Sequence, residues 1–471
     1  MKNLSATLVM LFWGYSTLLG QPASPVRLSE TYELANIILA LTDYGKTDPW
    51  EVSQHSAYYQ EVRTYFDAYR HHPLLAKVNY SRQQWQNYLS FRTDSYAFIF
   101  DESNHLVRKI AFSANSGFNP FEENLALIED FVQNTRFRQF YTNHISYYEG
   151  LASAYLVAQQ YPEMLQFLEK ELGKQPALSS YAIVMSPLVG RMNCHRVVEG
   201  VATDFITLPS FILTGKTLQT TSEEEIASGT HMLFTELDHA FVNPMTELHQ
   251  SLVKTHFSNQ RWDTGSGYEK DSLATFNEYM TWAVYNLYVQ HYFPSVAKKV
   301  SLEWAMQNET RGFYASSLFN KELEVMYQKR KAGQTLQDLY PRFIKRLGKL
   351  QNRVQKPVIQ SSNLSDKNLS DTVANFVVYF SESMIKADSF DVIIATEKEG
   401  KMSKERQVEV SKKQGLTWSK DGKSAQFMLH LVNGVNYIFL NVPWQTKAPL
   451  CAQTGVHLTP YSQLKTTVTR Q

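Results

Sequence analysis

The hydrophobic period of this chain changes once, near Lys356-Pro357, and that change fixes its fold class. Upstream, apolar residues recur at helical spacing. Leu34, Ile37, Ile38 and Leu41 fall at i, i+3, i+4 and i+7, and Ile128, Phe131 and Val132 repeat part of the pattern. Residues 181–185, ending at Ser186-Pro187, and residues 201–208, ending at Pro209, read as short strands. Downstream to Gln471, polar and apolar residues alternate, as in 376–380, 391–395 and 426–431. Turn signals stand at Asp421-Gly422 and Asn433-Gly434. The expectation is an α+β chain: a mainly helical domain with a small mixed sheet over 21–352, then an all-β sandwich over 353–471.

One segment in the helical part carries chemistry. Residues 231–244 read His-Met-Leu-Phe-Thr-Glu-Leu-Asp-His-Ala-Phe-Val-Asn-Pro. Leu233, Leu237, Ala240 and Phe241 make one apolar stripe, and Thr235 and His239 share another face with Glu236 beside them. The pattern matches H-E-x-x-H, in which two histidines one turn apart hold zinc and the glutamate serves as general base. Here the first histidine position is Thr235, so two of the three defining residues stand in register. The plainer reading is a core helix with a satisfied histidine.

The next long helical pattern, 271–298, raises the weight of the chemical reading. Leu273, Phe276, Met280, Ala283 and Leu287 line one side, and Trp282, Tyr285 and Val289 line up with Glu278 on another. A helix apolar nearly all round is buried, and a lone carboxylate within it needs a cation, a metal or hydrogen bonds. Glu278 is spaced as a third ligand from the following helix would be. The alternative is a glutamate paired with a distant lysine or arginine, or one hydrated at a helix end.

With these residues the chain resembles domain-of-unknown-function family 4932, bacterial secreted proteins similar to the gluzincin metallopeptidases. The resemblance covers about 25–350. It rests on the Glu236–His239 helix with its trailing 241–244, Asn277-Glu278, the turn at 186–188 and Gly312-Phe313. It implies a zincin fold, zinc bound at the His239 and Glu278 positions and at the position here held by Thr235, and a general base at Glu236. It also points to Tyr314 as an oxyanion donor, a residue that on its own reads as a packed aromatic. The sequence departs from the family pattern at Thr235, and that departure weakens both metal binding and catalysis. The C-terminal segment, through Phe380-Ser-Glu-Ser-Met384, resembles the surface-layer-type (SbsA-like) immunoglobulin-like domain.

Other residues could replace the missing ligand. His231 lies eight residues before His239, about 12 Å along a continuous helix, and reaches the site only if the helix breaks near 229–232. His195, in Asn193-Cys-His-Arg196, could arrive from a loop, though no spacing supports it. Asp238 reads as a residue that orients a neighbour.

The remaining composition bounds location and partners. A net charge of +1 gives no electrostatic case for nucleic acid. Lys2, an apolar run over 4–19 and Gly20 read as a signal peptide over 1–20, which places the protein in the periplasm, at the cell surface or outside the cell. No later run is long and apolar enough for a membrane span. Cys194 and Cys451 read as free thiols. Three functions stay open: a metallopeptidase homologue impaired by its degenerate zinc site, an active zinc peptidase with a replacement ligand, and a peptide- or glycan-binding surface protein. The first is preferred.

Overall fold

A computed structural model describes residues 24–113, 118–174, 181–190 and 193–469. The signal-peptide reading lies outside the described residues. The architecture is α+β, helical in its first part and strand-rich after residue 358.

A four-stranded sheet divides the helical part. Its order is β1 (Val26–Arg27), β4 (Ala182–Met185), β6 (Val201–Ile206), β5 (Cys194–Val198); a separate hairpin joins β2 (Phe98–Phe100) to β3 (Leu106–Arg108). β1, β4 and β6 run parallel and β5 antiparallel, so the expected small mixed sheet is present. Side chains alternate across a strand. Ile183, Met185 and Ile206 enter one hydrophobic core, and Val184, Val198 and Phe205 enter another. Burial on both faces explains the unbroken Ala-Ile-Val-Met run of β4.

The second of these cores is closed by α1 (Glu30–Leu41), α2 (Ala57–Tyr65), α3 (Pro73–Lys77), α4 (Trp85–Asp94), α5 (Leu125–Thr135) and α6 (Phe137–Asn143). α7 (Ile145–Gln159) and α8 (Tyr161–Leu172) lead to the first. There, α9 (Ser210–Leu213), α10 (Glu223–Gly229), α11 (His231–Leu248), α12 (Gln250–His256), α13 (Ser272–Tyr292), α14 (Ala297–Thr310), α15 (Ser316–Gln328) and α16 (Leu336–Leu350) follow. Local chemistry sets the start of α10. The Ser222 Oγ accepts from the Glu225 N–H, and the Glu225 carboxylate accepts from the Ser222 N–H, each at 3.2 Å. α10 ends at Gly229, and Thr230 both closes it and opens α11. α11 and α13 pack along one another, burying Leu233, Leu237 and Phe241 from one and Phe276, Met280 and Ala283 from the other.

After Val354 the strands β7 (Ile359–Ser362), β8 (Asn368–Leu369), β9 (Val373–Phe380), β10 (Ser389–Lys398), β11 (Lys401–Met402), β12 (Arg406–Ser411), β13 (Thr417–Trp418), β14 (Ser424–His430), β15 (Gly434–Leu440) and β16 (Ser462–Val468) form two sheets. One is ordered β13-β14-β9-β7; the other is β11-β10-β15-β16-β8, with β12 on β10. Phe376, Val378 and Phe427 from the first share a core with Val392, Ile394, Ile438 and Leu464 from the second.

The long connection from β15 to β16 reaches back to the helices. The Asn441 side chain braces it, donating to the Leu450 and Leu458 carbonyls and accepting from the Leu450 N–H, all at 2.9 Å. Val456 joins the helical core. His457 Nδ1 lies 3.1 Å from the Glu309 carboxylate, whose side chain is wholly buried, and 3.0 Å from the Ser317 hydroxyl.

Candidate functional site

Facing α11 and α13 across a cleft of about 900 Å³ are β5, α14 and the β15–β16 connection. Thr235, Glu236, His239 and Glu278 all line it. His239 Nε2 and Glu278 Oε1 approach to 3.6 Å, with both side chains mostly buried. Two ligands at about 2 Å from one ion would sit within roughly 4 Å of each other, so this pair has ligand spacing. The other ring nitrogen of His239 lies 3.4 Å from Asn243 Oδ1, one turn further along α11. Burial pushes the Glu236 carboxyl above the usual carboxylate range; the His239 ring opposes that and the Glu278 charge reinforces it. A carboxyl raised in this way is better suited to exchanging protons near neutral pH.

Thr235 sits on the same face and lines the cleft, but its hydroxyl proton is committed to its own helix. Its hydroxyl turns back to the His231 carbonyl at 3.0 Å and the Met232 carbonyl at 3.3 Å. Catalytic zinc sites take three protein ligands, and threonine is a poor one. Among the described residues no three His, Cys, Asp or Glu side chains are gathered so as to hold a metal. The donor set therefore supplies two ligands and falls short of a complete zinc site.

Two expected residues stand elsewhere. Tyr314 does not line the cleft; its hydroxyl donates to the Arg261 carbonyl, satisfying a backbone acceptor of the neighbouring loop. Tyr268 is the tyrosine in the cleft wall. Asp238 orients no neighbour: it is fully buried and neither carboxylate oxygen has a hydrogen-bond partner. Burial pushes its carboxyl well above the usual carboxylate range.

His231 opens α11 at the helix break and also lines the cleft. Its ring stacks on Trp304, centroids 3.6 Å apart, and neither ring nitrogen has a partner. Burial holds it well below the ordinary histidine range, with Arg311 adding to the effect.

His195 reaches the cleft from an edge strand rather than a loop. The β5–β6 ladder pairs it with Asp204, and Nδ1 lies 2.6 Å from Asp204 Oδ1. Burial pushes the ring down to about 4, with the His239 charge next, and pushes Asp204 up, with Glu236 next. A sequence signal for the pair existed: Glu199-Gly200, both at positive φ, forms a two-residue hairpin turn. Counting back from that turn puts 195 opposite 204, on one face of the sheet.

The part of the chain that carries this cleft falls within a recognised sequence family. The model of a domain of unknown function (DUF4932) matches residues 26–346, and the chain is a member of that family. No curated protein matches the chain. Among solved structures, the crystal structure of the S-layer protein rSbsC(31–844) is similar at 13% identity and a TM-score of 0.17. The match covers 51% of this chain and 33% of that one. The structure of surface layer protein SbsC, domains 1–6, is similar at 12% identity with the same TM-score and coverage. The match thus spans about a third of those S-layer chains.

Proposed function

We propose that this protein is an exported zincin-type metallopeptidase homologue whose zinc site is degenerate, and that its cleft holds a peptide segment without cutting it efficiently. The observation that carries this reading is the Thr235 hydroxyl, bonded to its own helix, opposite a His239–Glu278 pair at ligand spacing. Losing one of three ligands weakens a zinc site severely. The edge strand β5 supports the peptide assignment, since an extended chain can add to a free strand edge by main-chain hydrogen bonds. On the same reading the C-terminal part is an immunoglobulin-like sandwich.

The test is metal content. After brief dialysis the wild type should hold well under one zinc per chain. Thr235→His should raise occupancy, and Glu236→Gln in that background should keep the metal while abolishing any gained peptide cleavage.

One observation favours a second reading, an active enzyme in which His195 shifts toward His239 and Glu278 on metal binding and completes a set that is not gathered in the present geometry. Metal-binding histidines usually hand their other ring nitrogen to a carboxylate, and His195, which lines the cleft, does so with the buried Asp204 behind it. Stoichiometric zinc in the wild type that is lost in both His195→Ala and Glu278→Ala would establish this reading and overturn the first.

A further inference from the structure

The cleft does not end at His231. Past Trp304 and Trp444 it continues into a second cavity of about 430 Å³, with Ser228 and Met232 lining both. Trp304 comes from α14, and Trp444 comes from the β15–β16 connection of the strand-rich part. Their rings meet at 85° with centroids 5.3 Å apart. Both indole N–H groups are already used, Trp304 donating to Ser228 Oγ at 3.1 Å and Trp444 to Gln307 Oε1 at 3.2 Å. One face of Trp304 is covered by the His231 ring, so the π surface still on offer, which attracts cations, comes mainly from the exposed Trp444. Trp444 is held with φ at +65°, a left-handed backbone that a tryptophan rarely adopts.

The charges around this cavity are Glu224, Glu225, Glu303 and Lys299. Lys216 engages Glu225, and Lys299 leans on Glu224. Glu303 is left with the Lys299 ammonium at 3.8 Å as its ion-pair partner, although its side chain is nine-tenths buried. At the same junction His231, buried against Trp304, has two ring nitrogens without partners. A buried carboxylate in surplus and tryptophan π surface call for a ligand with a cationic end, and the acceptor nitrogen of the unpartnered imidazole can take a hydrogen bond from it.

Resting on the peptide reading above, we propose that this cavity is a subsite for a lysine or arginine side chain of the bound peptide, formed jointly by the helical part and Trp444 of the strand-rich part. Met232 lies seven residues before His239 on α11, about 10 Å. The basic residue would therefore sit about three extended residues from the segment opposite Glu236 and His239.

The test uses the full chain and fluorescein-labelled nonapeptides of alanine and glycine, with a single Lys, Arg, norleucine or Glu moved through the positions, and reads affinity by anisotropy. Lys and Arg at one position should tighten binding about tenfold over norleucine, the scale of a partly desolvated cation–π contact. Glu303→Gln should remove most of that preference and leave the norleucine peptide unchanged. Trp444→Ala should weaken the Lys peptide about tenfold, with its melting temperature checked alongside. Binding without a Lys or Arg preference, or a preference that survives both substitutions, overturns the subsite and leaves the peptide reading standing. No binding by any peptide, or binding of a neutral oligosaccharide in their place, overturns both.

Discussion

Glu33 is a carboxylate folded where a charge is costly. It is buried on α1 and accepts from the Tyr58 hydroxyl at 2.7 Å, itself 2.7 Å from the Tyr148 hydroxyl. Burial pushes its carboxyl up to about 7, despite the hydrogen bonds from Ser186 and Tyr58 that pull the other way. The sign of the pH effect follows. Below the unfolded value of 4.5 both states hold the proton and nothing is lost. Between 4.5 and about 7 the unfolded chain releases it first, so stability falls as pH rises. Above that window the full cost, about 3 kcal/mol, is present. Glu33→Gln keeps the shape and the Tyr58 partner without the titration. It should raise the melting temperature at pH 8 and change it little at pH 4.5. Equal shifts at both values would mean that Glu33 does not titrate in this window.

At the scale of elements, Gly312 joins α14 to α15 at φ +108°. A Cβ there would come within 2.6 Å of both the Ser266 N and the Thr264 carbonyl oxygen, and the Gly312 carbonyl accepts from the Thr264 N–H at 3.0 Å. Gly312→Ala should therefore cost about 3 kcal/mol, read as a lower melting temperature, because both the dihedral and the contact oppose it. The next residue, Phe313, packs edge-on against Trp282 of the cleft wall, so the same change should weaken ligand binding. What was legible in the sequence at this scale follows the range of the interactions. Glu236 and His239 share α11, so helical periodicity alone relates them. Glu278 was legible because a single carboxylate interrupts an apolar helix. The β5 strand escaped notice because its residues 194–198 mix polar and apolar side chains without clean alternation. With it went the His195–Asp204 pair, although the Glu199-Gly200 turn encoded the register. A Gly-Phe-Tyr run does not reveal which way the Tyr314 hydroxyl points, and in the fold it turns to the Arg261 carbonyl. Trp304 and Trp444 are 140 residues apart in the chain, and no local pattern relates them.

At the scale of the whole molecule, the strand-rich part is more than an appended spacer. The sequence break near Pro357 suggests an independent domain, and the two sheets pack around a core cluster of their own. Yet the β15–β16 connection puts Val456 into the helical core and Trp444 into the cleft wall, and it sets His457 against the buried Glu309. Glu309 keeps its bonds from the Ser317 N–H and hydroxyl without that histidine, so removing the strands leaves the carboxylate underpaired rather than bare. Underpairing a buried charge and uncovering an apolar seat each cost on the order of 1–3 kcal/mol. A chain ending at Gln351 should thus fold, but with a melting temperature several degrees below that of the full chain, and with weaker binding of any ligand that touches Trp444. The full chain should melt in one transition at the higher temperature. A truncated chain that melts as the full one does, and binds as tightly, would show that the connection merely rests against the helices. His457→Ala in the full chain separates the contributions, since it removes the contact to Glu309 and leaves Val456 and Trp444 in place. It should account for only part of the drop in melting temperature and none of the loss in binding.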